Sequence, residues 1–187
     1  MTADPVKALV VALAGTDHHP FERLVDWMDA AAQRRPDVRF LVQHGSTTRA
    51  PRTAEGVDFL THDRLVALLT EASVVVCHGG PGTIMDAREA GHVPLCVPRD
   101  PALGEHVDGH QQRFAAHVGE AGVVRHVTSQ ASFDTELDSA LEAAASPGEL
   151  SPATVARDDA RARLAAQLDE LMTVRPQRLN LRFRSRV

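Results

Sequence analysis

The sequence predicts an α/β fold: a doubly wound, parallel, Rossmann-like sheet. Three observations carry this expectation. Short apolar runs alternate with segments of helical periodicity over most of the chain. The apolar runs are near-continuous, as in strands covered on both faces. The most chemically distinctive loops follow directly after Ala14, Cys77 and Val97, at the strand ends where such sheets bind ligands.

The elements follow in order. Val6 to Ala14 reads as the first strand, and Gly15-Thr16-Asp17-His18-His19-Pro20 as a loop. Pro20 suits the first turn of a helix, having no N–H to leave unpaired. Phe21, Leu24, Val25, Met28, Ala31 and Ala32 recur at helical spacing. Val38 to Val42 is a second strand, residues 46–56 a polar, mobile loop, and Val57 to Leu60 a short third strand. Asp63 is placed to cap a helix that buries Leu65, Leu68, Leu69 and Ala72. Ser73 to Cys77 is a strand ending in a glycine-rich turn, and a helix runs from Pro81 to Ala90. Pro94 to Val97 is again a strand. A helix covers Asp108 to Glu120, and Val123 to Val127 is the last strand. Phe133, Leu137, Ala140, Leu141 and Ala144 mark one more helix.

Three segments of chain are expected. Residues 1–148 form the ligand-binding domain. Residues 149–174 form a C-terminal helix with Leu164, Leu168, Leu171 and Met172 on one side, a candidate partner contact. Residues 175–187 are a polar tail with Arg175, Arg178, Arg182, Arg184 and Arg186.

Composition narrows the function. The chain has 187 residues, 43% hydrophobic and 24% charged, the balance of a soluble globular protein. Its formal charge of −5 gives no global attraction to nucleic acid. Met1 to Val6 carries no signal-peptide pattern, and no apolar run approaches the roughly 20 residues that span a bilayer. A cytoplasmic protein is expected, reaching the inner face of a membrane through a partner if at all. Cys77 and Cys96, both in apolar runs, read as buried reduced thiols.

The turn His78-Gly79-Gly80-Pro81-Gly82-Thr83 joins a buried strand to a helix. Glycines let a ligand approach the backbone, and Pro81 pre-sets the first helical residue. The free N–H groups that follow form an anion site at the positive end of the helix dipole. Thr83 adds a hydroxyl, and Asp86 a carboxylate suited to ribose hydroxyls. A second segment, Val97-Pro98-Arg99 through Gly104-Glu105-His106-Val107-Asp108-Gly109-His110-Gln111-Gln112, leaves the next strand at the same sheet edge. Gln111 and Gln112 open a helix and can bind sugar hydroxyls. His106 and His110 raise a zinc reading, but Gly109 breaks the helix that would hold them and no third ligand lies at obvious spacing. No metal is expected. In the first loop, Asp17, His18 or His19 could be a base facing an acceptor.

Taken together and in this order, these segments resemble the donor-binding domain of family 28 glycosyltransferases, the C-terminal half of a GT-B enzyme. The likeness spans residues 6–127 and is densest from Val74 to Gly122. It is nearest to small stand-alone subunits: bacterial exopolysaccharide proteins of the PssE type and the catalytic subunit of the eukaryotic two-subunit UDP-GlcNAc transferase. The resemblance implies that Gly80, Gly82 and Thr83 hold a donor diphosphate, Asp86 the ribose, and Gln111 and Gln112 the transferred sugar. Thr61 and His62 would flank the uracil. Thr16, His78, Gly79, Pro81, Arg99, Glu105, His106 and His110 fall within the matching motifs and would complete the donor site. The bacterial subunits usually read Gly-Thr-His where this chain has Gly15-Thr16-Asp17, which leaves the base open among Asp17, His18, His19 and a partner protein.

The implied function is an inverting transfer from a UDP-sugar, the donor substrate, with no cofactor. The implied acceptor is a lipid-linked saccharide, and the implied partner a membrane-anchored subunit bearing the acceptor domain. Two other readings stay open: a non-catalytic nucleotide-binding or regulatory domain, and a metal-dependent hydrolase using His106 and His110.

Overall fold

In the computed structural model, which describes residues 7–145, the chain runs β1 (Leu9–Leu13), α1 (Glu22–Arg34), β2 (Arg39–Gln43), β3 (Glu55–Val57), α2 (His62–Glu71), β4 (Val74–Cys77), α3 (Pro81–Glu89), β5 (Leu95–Cys96), a 3-10 turn (Pro101–Leu103), α4 (His110–Glu120), β6 (Arg125–His126) and α5 (Gln130–Ala145). The strands form one parallel sheet in the order β3-β2-β1-β4-β5-β6. This is the doubly wound Rossmann-like arrangement the alternating pattern predicts.

β1 shows why its strand is apolar throughout. Val10 and Ala12 pack into the layer of α1 and α5, with Leu24, Met28 and Phe133. Leu9, Val11 and Leu13 pack into the opposite layer with Leu68 and Leu69 of α2 and Ala87 of α3. With both faces covered, no position is left for a polar residue. α4 covers the β4–β5 end through Ala115 and Val118, against Cys77, Ile84 and Cys96. Cys77 and Cys96 stand opposite each other in the ladder as buried free thiols. Phe133 is fully buried and its ring lies 5.6 Å from that of Trp27, tying α5 to α1.

Several local expectations change. α1 starts at Glu22, so Pro20 lies in the preceding loop. Phe21 holds a non-helical backbone there because its ring is buried and its N–H donates to Thr47 Oγ1 at 2.9 Å. Thr61, not Asp63, caps α2, accepting from the Arg64 N–H; Asp63 sits in the first turn, where its charge suits the dipole. The third strand is Glu55–Val57, paired Leu41 to Glu55 and Gln43 to Val57. It stops short of Leu60 because the next carbonyl, on Asp58, is taken by Gln43 Nε2 and the Gly45 N–H. α4 starts at His110, after the cap position Gly109. In the last strand only Arg125 and His126 have register partners, although Val123, Val124 and Val127 are buried.

The polar loop 46–56 is anchored. The buried carboxylate of Asp29, in α1, accepts the N–H groups of Arg52, Thr53 and Ala54 at 2.9–3.1 Å. Loop polarity suggested mobility, yet Asp29 supplies the partners its backbone needs. The expected helix and Arg-bearing tail of 149–187, and the first six residues, lie outside the described residues. Among the described residues, no helix is long and apolar enough to cross a membrane.

Candidate functional site

β1 and β4 are neighbours at the centre of the sheet, but the chain leaves β1 toward α1 and leaves β4 toward α3, in opposite layers. The loops therefore diverge and open a crevice at the carboxyl ends of these two strands. Gly15 turns the first loop with φ of +83°. His78 is the first residue past β4, its N–H bonded to the Leu13 carbonyl. Its imidazole fills the gap between the two loops: a β-carbon on Gly15 would stand 2.5 Å from its Nε2, and one on Gly80 would overlap the ring. Burial, then the nearby positive charge of Arg99, holds the His78 pKa down at about 4. The ring is therefore neutral, and its Nε2 lies 3.2 Å from Thr83 Oγ1.

α3 begins at this point. Gly80 is its N-cap and Pro81 its first residue. The N–H groups of Gly82 and Thr83 have no partner within the helix and sit at the positive end of its dipole. Nothing lies within 4 Å of a β-carbon built on Gly82, so the approach to these donors is open. A β-carbon on Gly79, by contrast, would stand 2.8–3.0 Å from the Gln111 side chain and backbone. The two glycines thus differ: a side chain would clash at Gly79 and not at Gly82. Asp86 follows in α3, partly exposed.

The sequence match now decides the family: residues 10–171 fit the glycosyltransferase family 28 C-terminal domain. The chain belongs to this family. No curated protein sequence matches it significantly. Its fold is similar to the glycotransferase of kitacinnamycin (21% identity, TM-score 0.60), which it covers over 90% of this chain and 44% of that one. It is also similar to the spinosyn forosaminyltransferase SpnP (18%, TM-score 0.59; 90% and 44% covered). A third likeness is to the calicheamicin glycosyltransferase CalG4 (16%, TM-score 0.56; 92% and 44%). The chain thus spans less than half the length of each. What it holds is the donor-binding half of the glycosyltransferase fold.

In this family 28 domain the second polar segment acts from beneath the crevice. Arg99 is 1% exposed. It donates to the carbonyls of Ala14, His19 and Glu105, each at 2.9 Å, and stacks on the Phe21 ring at 4.7 Å. Glu105 is buried too, and grips Arg23 through bonds of 2.7 and 2.9 Å. Both were expected at the donor; both are instead buried and bonded to protein groups, Arg99 to three loop carbonyls and Glu105 to Arg23. Gln111 is buried, with Oε1 3.4 Å from the Arg99 N–H, whereas Gln112 is partly exposed.

The first loop brings Asp17 between two imidazoles. Its Oδ1 accepts the His19 backbone N–H at 2.8 Å and the ring Nδ1–H at 2.6 Å; its Oδ2 lies 3.5 Å from His106 Nε2. Partial burial pushes this carboxyl up, but those bonds from His19 and the charges of Arg99 and His19 outweigh it, leaving a pKa of about 2. His18 and Thr16 are exposed. His106, Asp108 and His110 bring their ligand atoms within 4.8 Å of one another, so Asp108 is a third polar group that spacing alone passed over. In this cluster Asp108 Oδ1 accepts from His110 Nδ1 at 2.6 Å. Thr61 and His62 stand at the start of α2, which follows the edge strand β3 in the chain, and both are exposed.

Two site-forming residues were missed in the sequence. Gln43 binds both the N–H and the carbonyl of Gly15, fixing the first loop. Its signal is a polar residue closing an apolar strand. Arg23 offers a weaker one: a cation flanked by Phe21 and Leu24 on the buried side of a helix.

Proposed function

We propose that this chain is the donor-binding catalytic subunit of an inverting glycosyltransferase that uses a UDP-sugar and acts on a lipid-linked saccharide. One observation carries the reading. The neutral His78 and the Thr83 hydroxyl face an open helix N-terminus at the central crevice, a site built for a diphosphate. In the transfer, charge appears on the departing UDP. Fixed N–H groups and the helix dipole can receive it without reorganising, so no metal is required there. Asp86 would take ribose hydroxyls. Gln112, with Gln111 packed behind it, would face the sugar.

The acceptor half of the enzyme is assigned to a membrane-anchored partner, with this subunit at the cytoplasmic face, in the manner of the PssE-type and eukaryotic two-subunit systems that the motifs resemble. The direct test is thermal stability with nucleotides. UDP at about 100 times its Kd should add roughly 2.7 kcal/mol, a rise in Tm of about 5–10 °C. A shift with ADP or GDP and none with any uridine nucleotide would reject the uridine assignment.

A further inference from the structure

We propose that His19 is the general base of the transfer and that Asp17 positions it; this rests on the glycosyltransferase reading above. Hydrogen bonding selects His19 from the polar groups around the crevice. A base needs a free lone pair, a fixed orientation and access to the substrate. Asp17 is ionised but already accepts from the His19 ring and backbone, and its other oxygen lies 3.5 Å from His106 Nε2. His78 is wedged between loops with its Nε2 on Thr83. His106 has both nitrogens occupied: Nδ1 accepts the Asp108 N–H at 3.4 Å, which leaves the proton on Nε2, facing Asp17. His18 is 83% exposed and lies 4.0 Å from the Asp17 carboxylate.

His19 alone meets all three requirements. Its Nδ1–H donates to Asp17 at 2.6 Å, which puts the lone pair on Nε2 and fixes the tautomer. Its side chain is 20% exposed, enough to meet a substrate while largely shielded from water. Its carbonyl is held by Arg99, so its backbone is fixed from below. His110 repeats the pairing with Asp108, but with the ring 51% and the carboxylate 59% exposed, and nothing comparable holds it. The proton of the acceptor hydroxyl passes to His19 Nε2 as the acceptor oxygen bonds to the anomeric carbon. The bond from that carbon to the diphosphate oxygen breaks, and its electron pair leaves with UDP. The imidazolium so formed is neutralised by Asp17.

The test uses the full-length chain with a panel of UDP-hexoses, measuring UDP release with water and with membrane extract as acceptor. His19→Gln should lower release about 100-fold or more with UDP affinity unchanged, and added imidazole should restore part of the rate in His19→Ala. Asp17→Asn should lower kcat about tenfold or more without raising KM for the donor. His117→Gln, on the exposed side of α4, should behave like the parent. Parental release by His19→Gln would overturn the assignment while leaving the donor reading intact. So would a parent that binds UDP yet releases none with the membrane extract supplying both partner and acceptor, since the base would then lie elsewhere. A parent that binds no uridine nucleotide would instead overturn the underlying reading.

Discussion

The imidazole of His78 occupies the space where a β-carbon on Gly80 would stand. The N-cap of α3 and the first side chain after β4 are thereby fitted to each other, and the geometry of the glycine-rich turn depends on both. Gly80→Ala forces the ring or the turn to move. It should cost about 1–3 kcal/mol of stability and lower UDP affinity about tenfold or more, because misplaced N–H donors lose their charge-assisted bonds. Urea unfolding and calorimetric titration check the two effects. Full UDP affinity in the variant would show that the fit is irrelevant to binding.

The same ring sets a pH dependence. His78 titrates at about 4 in the fold, whereas an unfolded histidine titrates near 6.5. Between those values the unfolded chain binds more protons, so stability rises with pH. The contribution is fully present above pH ~6.5 and is lost as pH falls toward ~4, by roughly 3 kcal/mol at most. Unfolding free energies of the parent and of His78→Gln, measured from pH 4 to 8, should converge at low pH. A constant difference would mean that His78 does not titrate in this window.

Arg99 ties three loop carbonyls together from a fully buried position. Arg99→Met keeps much of the volume but leaves the carbonyls of Ala14, His19 and Glu105 unpaired. A loss of about 3 kcal/mol or more is expected, with UDP affinity falling as the loops relax. Chemical denaturation and nuclear magnetic resonance of the loop amides would detect both. A variant of parental stability would remove Arg99 from its structural role.

Asp86 lies in α3, partly exposed and outside the core clusters. Asp86→Ala should leave Tm within about 2 °C, as for a surface substitution of under ~0.5 kcal/mol. UDP binding should weaken about tenfold, the loss of a charged hydrogen bond to a ribose hydroxyl. A variant that binds UDP like the parent would exclude this carboxylate from the site.

UDP release should survive EDTA, since the site described above stabilises the leaving group with N–H donors. The comparison is turnover before and after chelation, then with zinc or magnesium restored. Abolition by EDTA with recovery on zinc would turn attention to His106, Asp108 and His110, whose ligand atoms already cluster.

The sequence by itself determined the parallel doubly wound sheet, because strands buried on both faces must be apolar throughout, and that pattern survives without any knowledge of contacts. It also determined the glycine-rich turn that opens α3, since glycine, proline and a helix start are local requirements. Only the tertiary structure decided what the polar residues of the loops do. Arg99 and Glu105 read as ligand contacts in sequence, yet they are buried against the Ala14 and His19 carbonyls and the Arg23 guanidinium, 80 or more residues away in the chain. Asp29, a carboxylate within α1, is buried and anchors the loop at Arg52 to Ala54. His18 and His19 are indistinguishable as neighbours in sequence; the Asp17 carboxylate separates them by binding one ring and leaving the other in solvent. Periodicity records which face of an element is buried, whereas a hydrogen-bond partner is set by where the chain returns, and that information is not local.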